Sequence, residues 1–168
     1  MKLIRLLLLL VAAAAAVSSC RDDGVARGVL RLADSLIEER PDSSLALLRR
    51  DSLLFTKASK AVRMAYALSR TEAEDKCYVT HTSDSAIRLA AEYLAAHGTA
   101  LQSVRAWYVL GRVYCDLRLY GHALTAFDNA LAVAADSSRA VCRYKTRACS
   151  WMGDIYEKKD LHRGRLAL

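Results

Sequence analysis

The 168-residue sequence contains few of the residues that interrupt helices, since it has one proline and seven glycines. It also lacks any stretch in which apolar and polar side chains alternate with the two-residue period of a half-buried strand. Alanine, leucine and arginine dominate the composition instead. These absences argue against a β-rich fold and predict an all-α chain of helices joined by short turns.

Motifs that carry chemistry are missing as well. The sequence has no glycine-rich phosphate loop and no nucleophile elbow, and its four histidines are scattered. No pair of cysteines has the spacing of metal ligands. We therefore expect no enzyme activity, no bound metal and no cofactor.

Four cysteines lie beyond the N-terminal region: Cys77, Cys115, Cys142 and Cys149. Cys142 and Cys149 lie two turns apart on one predicted helix, roughly 10 Å by the helical rise, so they cannot bridge to each other. Two interpretations stay open. The cysteines are small buried hydrophobic residues, or one of them, such as Cys115, forms a disulfide with a neighbouring helix.

The first 19 residues have the pattern of an export signal. Lys2 and Arg5 form a short basic start, and Leu6 to Val17 is an unbroken apolar run of about twelve residues. A membrane-spanning helix needs roughly 20 residues. The pattern therefore predicts a cleaved signal peptide over residues 1–19.

The signal ends in Val17-Ser18-Ser19-Cys20, which resembles the lipobox of bacterial lipoproteins. The resemblance implies that Cys20 is lipidated, becomes the mature N-terminus and anchors the chain through a linker, residues 20–24. Ordinary cleavage after one of the alanines at 12–16 is the alternative. Arg21, where an Asp would mark inner-membrane retention, implies an outer-membrane envelope protein that faces the periplasm or the surface.

The net charge is modest and spread along the helices. The whole chain carries +7, and the signal holds two of its 25 basic residues and none of its 18 acidic ones, so the other 149 residues carry +5. An exported, lipid-anchored chain would not meet nucleic acid. We interpret this charge as favouring solubility and anionic partners.

Periodicity and capping residues predict seven helices and the start of an eighth. Pro41 and Asp42 suit the start of the second helix, and Gly98 suits the end of the fourth. The predicted ranges are about 25–39, 44–55, 58–75, 85–96, 102–117, 120–134 and 139–159, with the eighth beginning near 161.

The most specific motif joins the fifth and sixth predicted helices. It has the form W-x2-L-G-x2-Y followed by A-x3-F-x2-A. Large and small side chains alternate, so that two antiparallel helices can interlock. The residues predicted to pack are Trp107, Leu110, Gly111, Tyr114, Ala123, Phe127 and Ala130.

Part of this pattern recurs every 42 residues. Leu68 and Ser69 precede Leu110 and Gly111 by 42 positions. In the other direction, 42 positions after Leu110, Gly111 and Tyr114 stand Met152, Gly153 and Tyr156. The third, fifth and seventh helices are therefore predicted to be equivalent elements. Gly153 and Tyr156 are predicted to pack as Gly111 and Tyr114 do.

These motifs resemble the tetratricopeptide repeat, and together with the lipobox they make the chain resemble a bacterial tetratricopeptide-repeat lipoprotein. The resemblance implies an α-solenoid of antiparallel helix pairs, with a degenerate leading pair over 25–56 and repeats over 57–168. The repeats would cover 58–97, 102–135 and 139–168. The period is 42 rather than 34, and Ala135 replaces the usual proline. The last repeat is incomplete, which favours a truncated longer protein or a short terminal cap.

A second set of residues repeats at the same spacing, and it is made of arginines and tyrosines. Its members are Arg63, Tyr66 and Arg70, then Arg105, Tyr108 and Arg112, and finally Arg147. On the fifth helix they fall within about 60° of one another, away from the packing motif. By the resemblance, they would line the concave groove that binds peptides in this family. Solvated arginines and tyrosines packed on adjacent helices are the alternative.

Arginine and tyrosine together suit a carboxylate-bearing partner, because the guanidinium fork pairs with carboxylates and tyrosine adds apolar area. We therefore expect an envelope lipoprotein that acts as a scaffold for a protein or peptide, acidic or carboxylate-terminated. Two alternatives remain. The chain is the sensor part of a longer envelope signalling regulator, or it is a structural or assembly lipoprotein that works through its helix ends.

Overall fold

The structure, a computed structural model, describes residues 23–134 and 138–166, with side chains up to residue 158. Helices account for all regular secondary structure in these ranges, which confirms the all-α class. The predicted signal peptide and Cys20 lie outside the described residues. So does most of the segment between the predicted helices 120–134 and 139–159.

Eight helices occupy the described part of the chain. They are α1 (23–36), α2 (Pro41–Arg50), α3 (Ser52–Thr56), α4 (Lys60–Lys76), α5 (Ser85–His97), α6 (Ala100–Asp116), α7 (Tyr120–Ala132) and α8 (Arg139–Leu166).

Two predicted helices differ most from the structure. The helix expected over 44–55 is two helices, because Asp51 leaves helical geometry with φ −97° and ψ 17°. The break expected near residue 160 is absent, since α8 continues to Leu166 and no proline or glycine stands there to end it. Asp23 and Gly24, the last two residues of the predicted linker, belong to α1.

Helix ends follow local chemistry at several points. Pro41 occupies the first turn of α2, where its missing N–H costs nothing. At the start of α6, Thr99 and Gln102 form a reciprocal capping box, with the Gln102 N–H donating to Thr99 Oγ1 at 3.2 Å. Gly98 follows α5 as predicted, and a side chain there would place Cβ 2.6 Å from the Leu94 carbonyl oxygen.

The chain divides into two compact units, one ending at Ala73 and one beginning at Glu74. In the first unit, buried side chains of α1, α2 and α4 form the core, among them Ala33, Leu48 and Leu68. Two polar contacts hold α1 in place there. Ser44 Oγ donates to the Ala33 carbonyl at 2.9 Å, and Ser69 Oγ donates to Asp34 at 2.7 Å.

In the second unit, α6 is the central element and contacts α5, α7 and α8, while α7 also contacts α8. Almost every side of α6 is therefore buried. The turn between α6 and α7 is short and places Arg118 at φ 59°, in the left-handed region. The Leu119 N–H donates to the Tyr114 carbonyl at 2.9 Å and satisfies the end of α6.

Gly111 and Phe127 set the distance between α6 and α7. A Cβ on Gly111 would lie 2.4 Å from the Phe127 ring, which is itself fully buried. Only glycine, which has no Cβ, leaves room for the Phe127 ring at this position. This contact fits the interlocking of large and small side chains that the motif predicts.

Candidate functional site

Aromatic and charged side chains of α6 and α8 meet the end of α4 in the second unit. We call this group the α6–α8 cluster. It consists of Asp75 from α4, Tyr108 and Arg112 from α6, and Arg143, Tyr144, Arg147 and Trp151 from α8.

Arg112 is the centre of the cluster. Its guanidinium donates two hydrogen bonds to the Asp75 carboxylate, from Nη2 at 2.9 Å and from Nε at 3.3 Å. The same group lies 3.6 Å from the centroid of the Trp151 ring. The two charged side chains are only 16% and 12% exposed, so this ion pair is less screened than a surface pair.

The negative charge of Asp75 is stabilised by this ion pair. It lies in the last turn of α4, where the helix dipole disfavours a negative charge. The two hydrogen bonds from Arg112 compensate for that position. Asp75 therefore fixes the guanidinium and is itself held by it.

Tyr108 is the most deeply packed aromatic residue in the cluster after Tyr144. It is 7% exposed, and its ring centroid lies 5.6 Å from that of Tyr144 and 6.1 Å from that of Phe127. Burial raises the pKa of Tyr108, and the negative charge of Asp75 raises it further. Its hydroxyl is therefore protonated at neutral pH.

The α8 side of the cluster is cationic and more accessible. The Arg143 and Arg147 guanidinium carbons lie 5.6 and 5.8 Å from the Tyr144 ring centroid. Arg143 is exposed, and Arg147 and Trp151 are half-buried. These three side chains are where an external group could reach the cluster.

The prediction that the arginine and tyrosine stripe of α6 forms an available face is wrong in part. Arg105 is 8% exposed and Tyr108 is 7% exposed, so both are buried. The reason is that α6 has helices on nearly all sides, whereas the pattern considered only the helix pair that contains it. Arg112 is partly buried against Asp75.

The equivalent residues of the first unit form a separate set. The Tyr66 ring stacks on Phe55 with centroids 4.1 Å apart, and Arg70 Nη1 donates to the Tyr66 hydroxyl at 3.3 Å. Arg63 is exposed, and its Nη1 donates to the Ala58 carbonyl at 2.7 Å. Each of these side chains thus has contacts within its own unit.

The residues of the packing motif are mostly buried. Leu110, Gly111, Tyr114, Ala123, Phe127 and Ala130 are buried, and Trp107 is half-buried. The expectation of equivalent packing is wrong for two residues of α8. Gly153 is exposed, with open space where a Cβ would lie, and Tyr156 is 52% exposed.

Sequence patterns missed four members of the cluster, which are Asp75, Arg143, Tyr144 and Trp151. Asp75 and Tyr144 carry no signal, because no repeat relation connects them to Arg112 or Tyr108. Trp151 follows Arg147 by four residues, a spacing that places both on one helix face. That spacing was the one available indication of the aromatic residue.

A second polar contact joins the turn before α5 to the end of α6. Asp116 accepts hydrogen bonds from the backbone N–H of His81 at 3.1 Å, and its carboxylate lies 2.8 Å from His81 Nδ1. Neighbouring Cys115 offers no nucleophile, because burial raises the pKa of its thiol to about 11. Within the described ranges, no three His, Cys, Asp or Glu side chains are grouped as a metal site requires.

Comparisons with known proteins give no relative, since no protein-family model, curated protein or solved structure matches this chain. None of the helices in the described ranges combines the length and apolar character needed to cross a membrane.

Proposed function

We propose that this protein is an exported lipoprotein that acts as a scaffold for an acidic segment of another protein, through the α6–α8 cluster. The observation that carries the proposal is the guanidinium of Arg112 held between Asp75 and Trp151, beside the accessible Arg143 and Arg147. Guanidinium groups fixed on aromatic rings keep their forked donors ordered for a carboxylate.

Charge along α8 supports an anionic partner. Between Arg139 and Arg147 the helix has four basic residues and no acidic one. Lys145 is used internally, because its Nζ donates to the Leu131 and Val133 carbonyls at 2.9 and 2.7 Å, at the end of α7. An incoming carboxylate would therefore meet Arg143 and Arg147 first.

A tetratricopeptide-like repeat remains part of the proposal. Its support is that five of the six buried positions of α4 are also buried in α6 when the two helices are aligned at the 42-residue spacing, including Val62 with Val104 and Leu68 with Leu110. The interlock of Gly111 with Phe127 adds to it. In such an arrangement α4, α6 and α8 would be the first helices of successive pairs.

Arg105 and Arg112 are too buried for their substitution to test the proposal. Reversing the charge of Arg105 or Arg112 would disturb packing, and loss of binding would not be informative. Replacing Arg143 and Arg147 with glutamine changes accessible side chains. Replacing Arg31 and Arg49, both exposed in the first unit, gives a control of equal charge.

The test measures binding of a fluorescein-labelled hexaglutamate peptide by anisotropy at low salt, with hexaglutamine as the neutral probe. We expect the Arg143→Gln/Arg147→Gln protein to bind hexaglutamate about tenfold more weakly, from the loss of two charge-assisted contacts. The Arg31→Gln/Arg49→Gln protein should bind as the wild type does. Equal weakening in both double variants would show that only net charge matters, and no weakening would reject the cluster as the site.

The lipid anchor requires its own experiment. A bacterial host that expresses the full chain is fed an alkynyl fatty acid, and the protein is then tagged through the alkyne. Label is expected on the wild type and on Cys77→Ala, and none on Cys20→Ala. Label that persists on Cys20→Ala would reject lipidation at this residue.

A further inference from the structure

Helix α8 has one face buried against α6 and α7 and another face in contact with solvent. The buried face includes Val141, Tyr144, Ala148 and Ile155. The other face, which we call the α8 outer face, lies within about 60° of Thr146 around the helix axis. Its members are all exposed: Arg139, Cys142, Arg143, Thr146, Cys149, Ser150, Gly153 and Glu157.

Small side chains make the α8 outer face suitable for close approach of another helix. Cys142, Thr146, Cys149 and Gly153 follow one another at intervals of three or four residues, as in a helix-packing seam. No heavy atom lies within 4 Å of the position that a Gly153 Cβ would take. A second helix could therefore lie at the short end of the usual 8–10 Å interaxial range.

The charge distribution of α8 selects the direction of that second helix. The segment from Arg139 to Arg147 has four basic residues and no acid. Among the charged positions from 151 to 159, Asp154 and Glu157 fall within about 80° of Thr146 around the helix axis, whereas Lys158 and Lys159 fall about 120° and 140° from it. Two copies of α8 in parallel would place like charges together. Antiparallel copies place Arg139 of each beside Asp154 and Glu157 of the other.

We propose that the α8 outer face binds a second copy of this chain in antiparallel orientation, and that disulfides join Cys142 of each copy to Cys149 of the other. Both thiols are free and exposed in the structure. The partner is the same chain because its α8 supplies the complementary charges and the matching cysteines. This interface lies away from the buried face of α8. Arg143 lies at its margin, but neither the disulfides nor the charge pairs of the interface use Arg143 or Arg147.

The positions of the two cysteines fit an antiparallel pair with two-fold symmetry. Cys142 and Cys149 lie on the same edge of the outer face, roughly 40° and 60° from Thr146. In an antiparallel pair with two-fold symmetry, this edge of one α8 faces the same edge of the other α8. With axes about 8 Å apart, Cα atoms of Cys142 and the partner's Cys149 come within roughly 5 Å, inside the range of disulfides. A parallel pair would place this edge against the edge that carries Arg143 and Ser150.

The covalent step requires an oxidant, which is a low-molecular-weight disulfide. Each bond forms by thiol–disulfide exchange: two protein thiols lose two protons and two electrons, and the external disulfide is reduced to two thiols. A single helix pair buries less than the about 1,600 Å² of a standard interface. The reduced protein should therefore associate weakly, and the disulfides should stabilise the dimer.

The experiment incubates the full chain with oxidised glutathione and analyses it on a non-reducing gel, followed by tryptic mapping. Cys142 and Cys149 fall in different tryptic peptides, because Arg143 and Arg147 lie between them. We expect a dimer in which the Cys142 peptide is linked to the Cys149 peptide. Dimer formation by Cys77→Ser and Cys115→Ser should match the wild type.

Single variants separate the antiparallel pair from random cross-linking. Cys142→Ser and Cys149→Ser should each form at least about tenfold less dimer, because identical cysteines do not meet across the two-fold axis. An equimolar mixture of the two variants should regain the cross-link, with one disulfide per dimer. Links between identical cysteines, full dimerisation of a single variant, or a mixture that stays monomeric would overturn the proposal.

Charge substitutions supply an independent measurement. Arg139→Glu and Asp154→Arg should each slow cross-linking about fivefold, and the double variant should recover most of the rate because the pair is restored with opposite sign. No slowing in either single variant, or no recovery in the double variant, would reject the charge pairing. Circular dichroism of each variant confirms that α8 is intact.

Discussion

Helices α6 and α8 share a glycine–tyrosine signature at a spacing of 42, Gly111 and Tyr114 in α6 and Gly153 and Tyr156 in α8, and the two copies have opposite environments. Gly111 in α6 is covered by the ring of Phe127, whereas Gly153 in α8 has open space beside it. Tyr114 is 8% exposed and Tyr156 is 52% exposed. The signature therefore specifies a helix face that can be covered, while coverage depends on whether another helix packs against it, as α7 packs against α6.

The tyrosines extend this comparison from packing to hydrogen bonding. The Tyr114 hydroxyl donates to Asp84 Oδ2 at 3.2 Å, and Asp84 is the residue that precedes α5. Tyr114 thus connects α6 to the turn before α5, besides packing beneath α7. The equivalent Tyr156 is largely solvated. Substitutions at matched positions of α6 and α8 should therefore have unequal effects.

The largest difference is expected from removal of the covering ring. Phe127→Ala should lower the free energy of unfolding by about 4 kcal/mol, because it leaves a cavity beside Gly111 in the centre of the unit. Tyr156→Ala removes an exposed ring and should change it by about 0.5 kcal/mol or less. Urea denaturation followed by circular dichroism measures both. Similar losses in the two variants would mean that the α8 face is covered in solution.

A smaller difference is expected from the two glycines. Gly111→Ala would place a methyl carbon 2.4 to 2.8 Å from three atoms of the Phe127 ring. It should lower the free energy of unfolding by about 2–3 kcal/mol through overpacking. Gly153→Ala adds a better helix former at an open position and should stabilise the protein by up to about 1 kcal/mol. Opposite signs in urea denaturation are the expected result, and a destabilising Gly153→Ala would contradict the open environment.

Packing between α6 and α7 could be predicted from the sequence, whereas the contacts of Arg105 and Arg112 could not. The α6–α7 pair has a motif in which Gly111, Ala123 and Phe127 define both helices, so their packing partners are local in the chain. Asp75 and Arg112 are 37 residues apart and meet through the tertiary fold. Likewise, Arg105 is buried by the combined packing around α6, which no pattern along one helix contains. Helix periodicity records which face is apolar, and it does not record how many neighbours a helix has.

The smallest difference is expected from the tyrosine hydroxyls. Tyr114→Phe should cost about 1 kcal/mol at neutral pH, because Asp84 loses a part-buried hydrogen bond from the α6 side. Tyr156→Phe should have no measurable effect. The two variants have the same change in chemistry, so their difference reports the environment of the hydroxyl.

Alkaline pH should reduce this cost of Tyr114→Phe. Burial, and then the charge of Asp84, raise the pKa of Tyr114 above that of an unfolded tyrosine, about 10. Above pH 10 the unfolded chain releases this proton while the folded chain retains it, so the wild type loses stability as pH rises. Tyr114→Phe lacks that contribution and should lose less over the same range, which urea denaturation at pH 8 and pH 10.5 would measure. A decline in Tyr114→Phe that runs parallel to that of the wild type would show that burial and Asp84 do not raise the pKa of the Tyr114 hydroxyl.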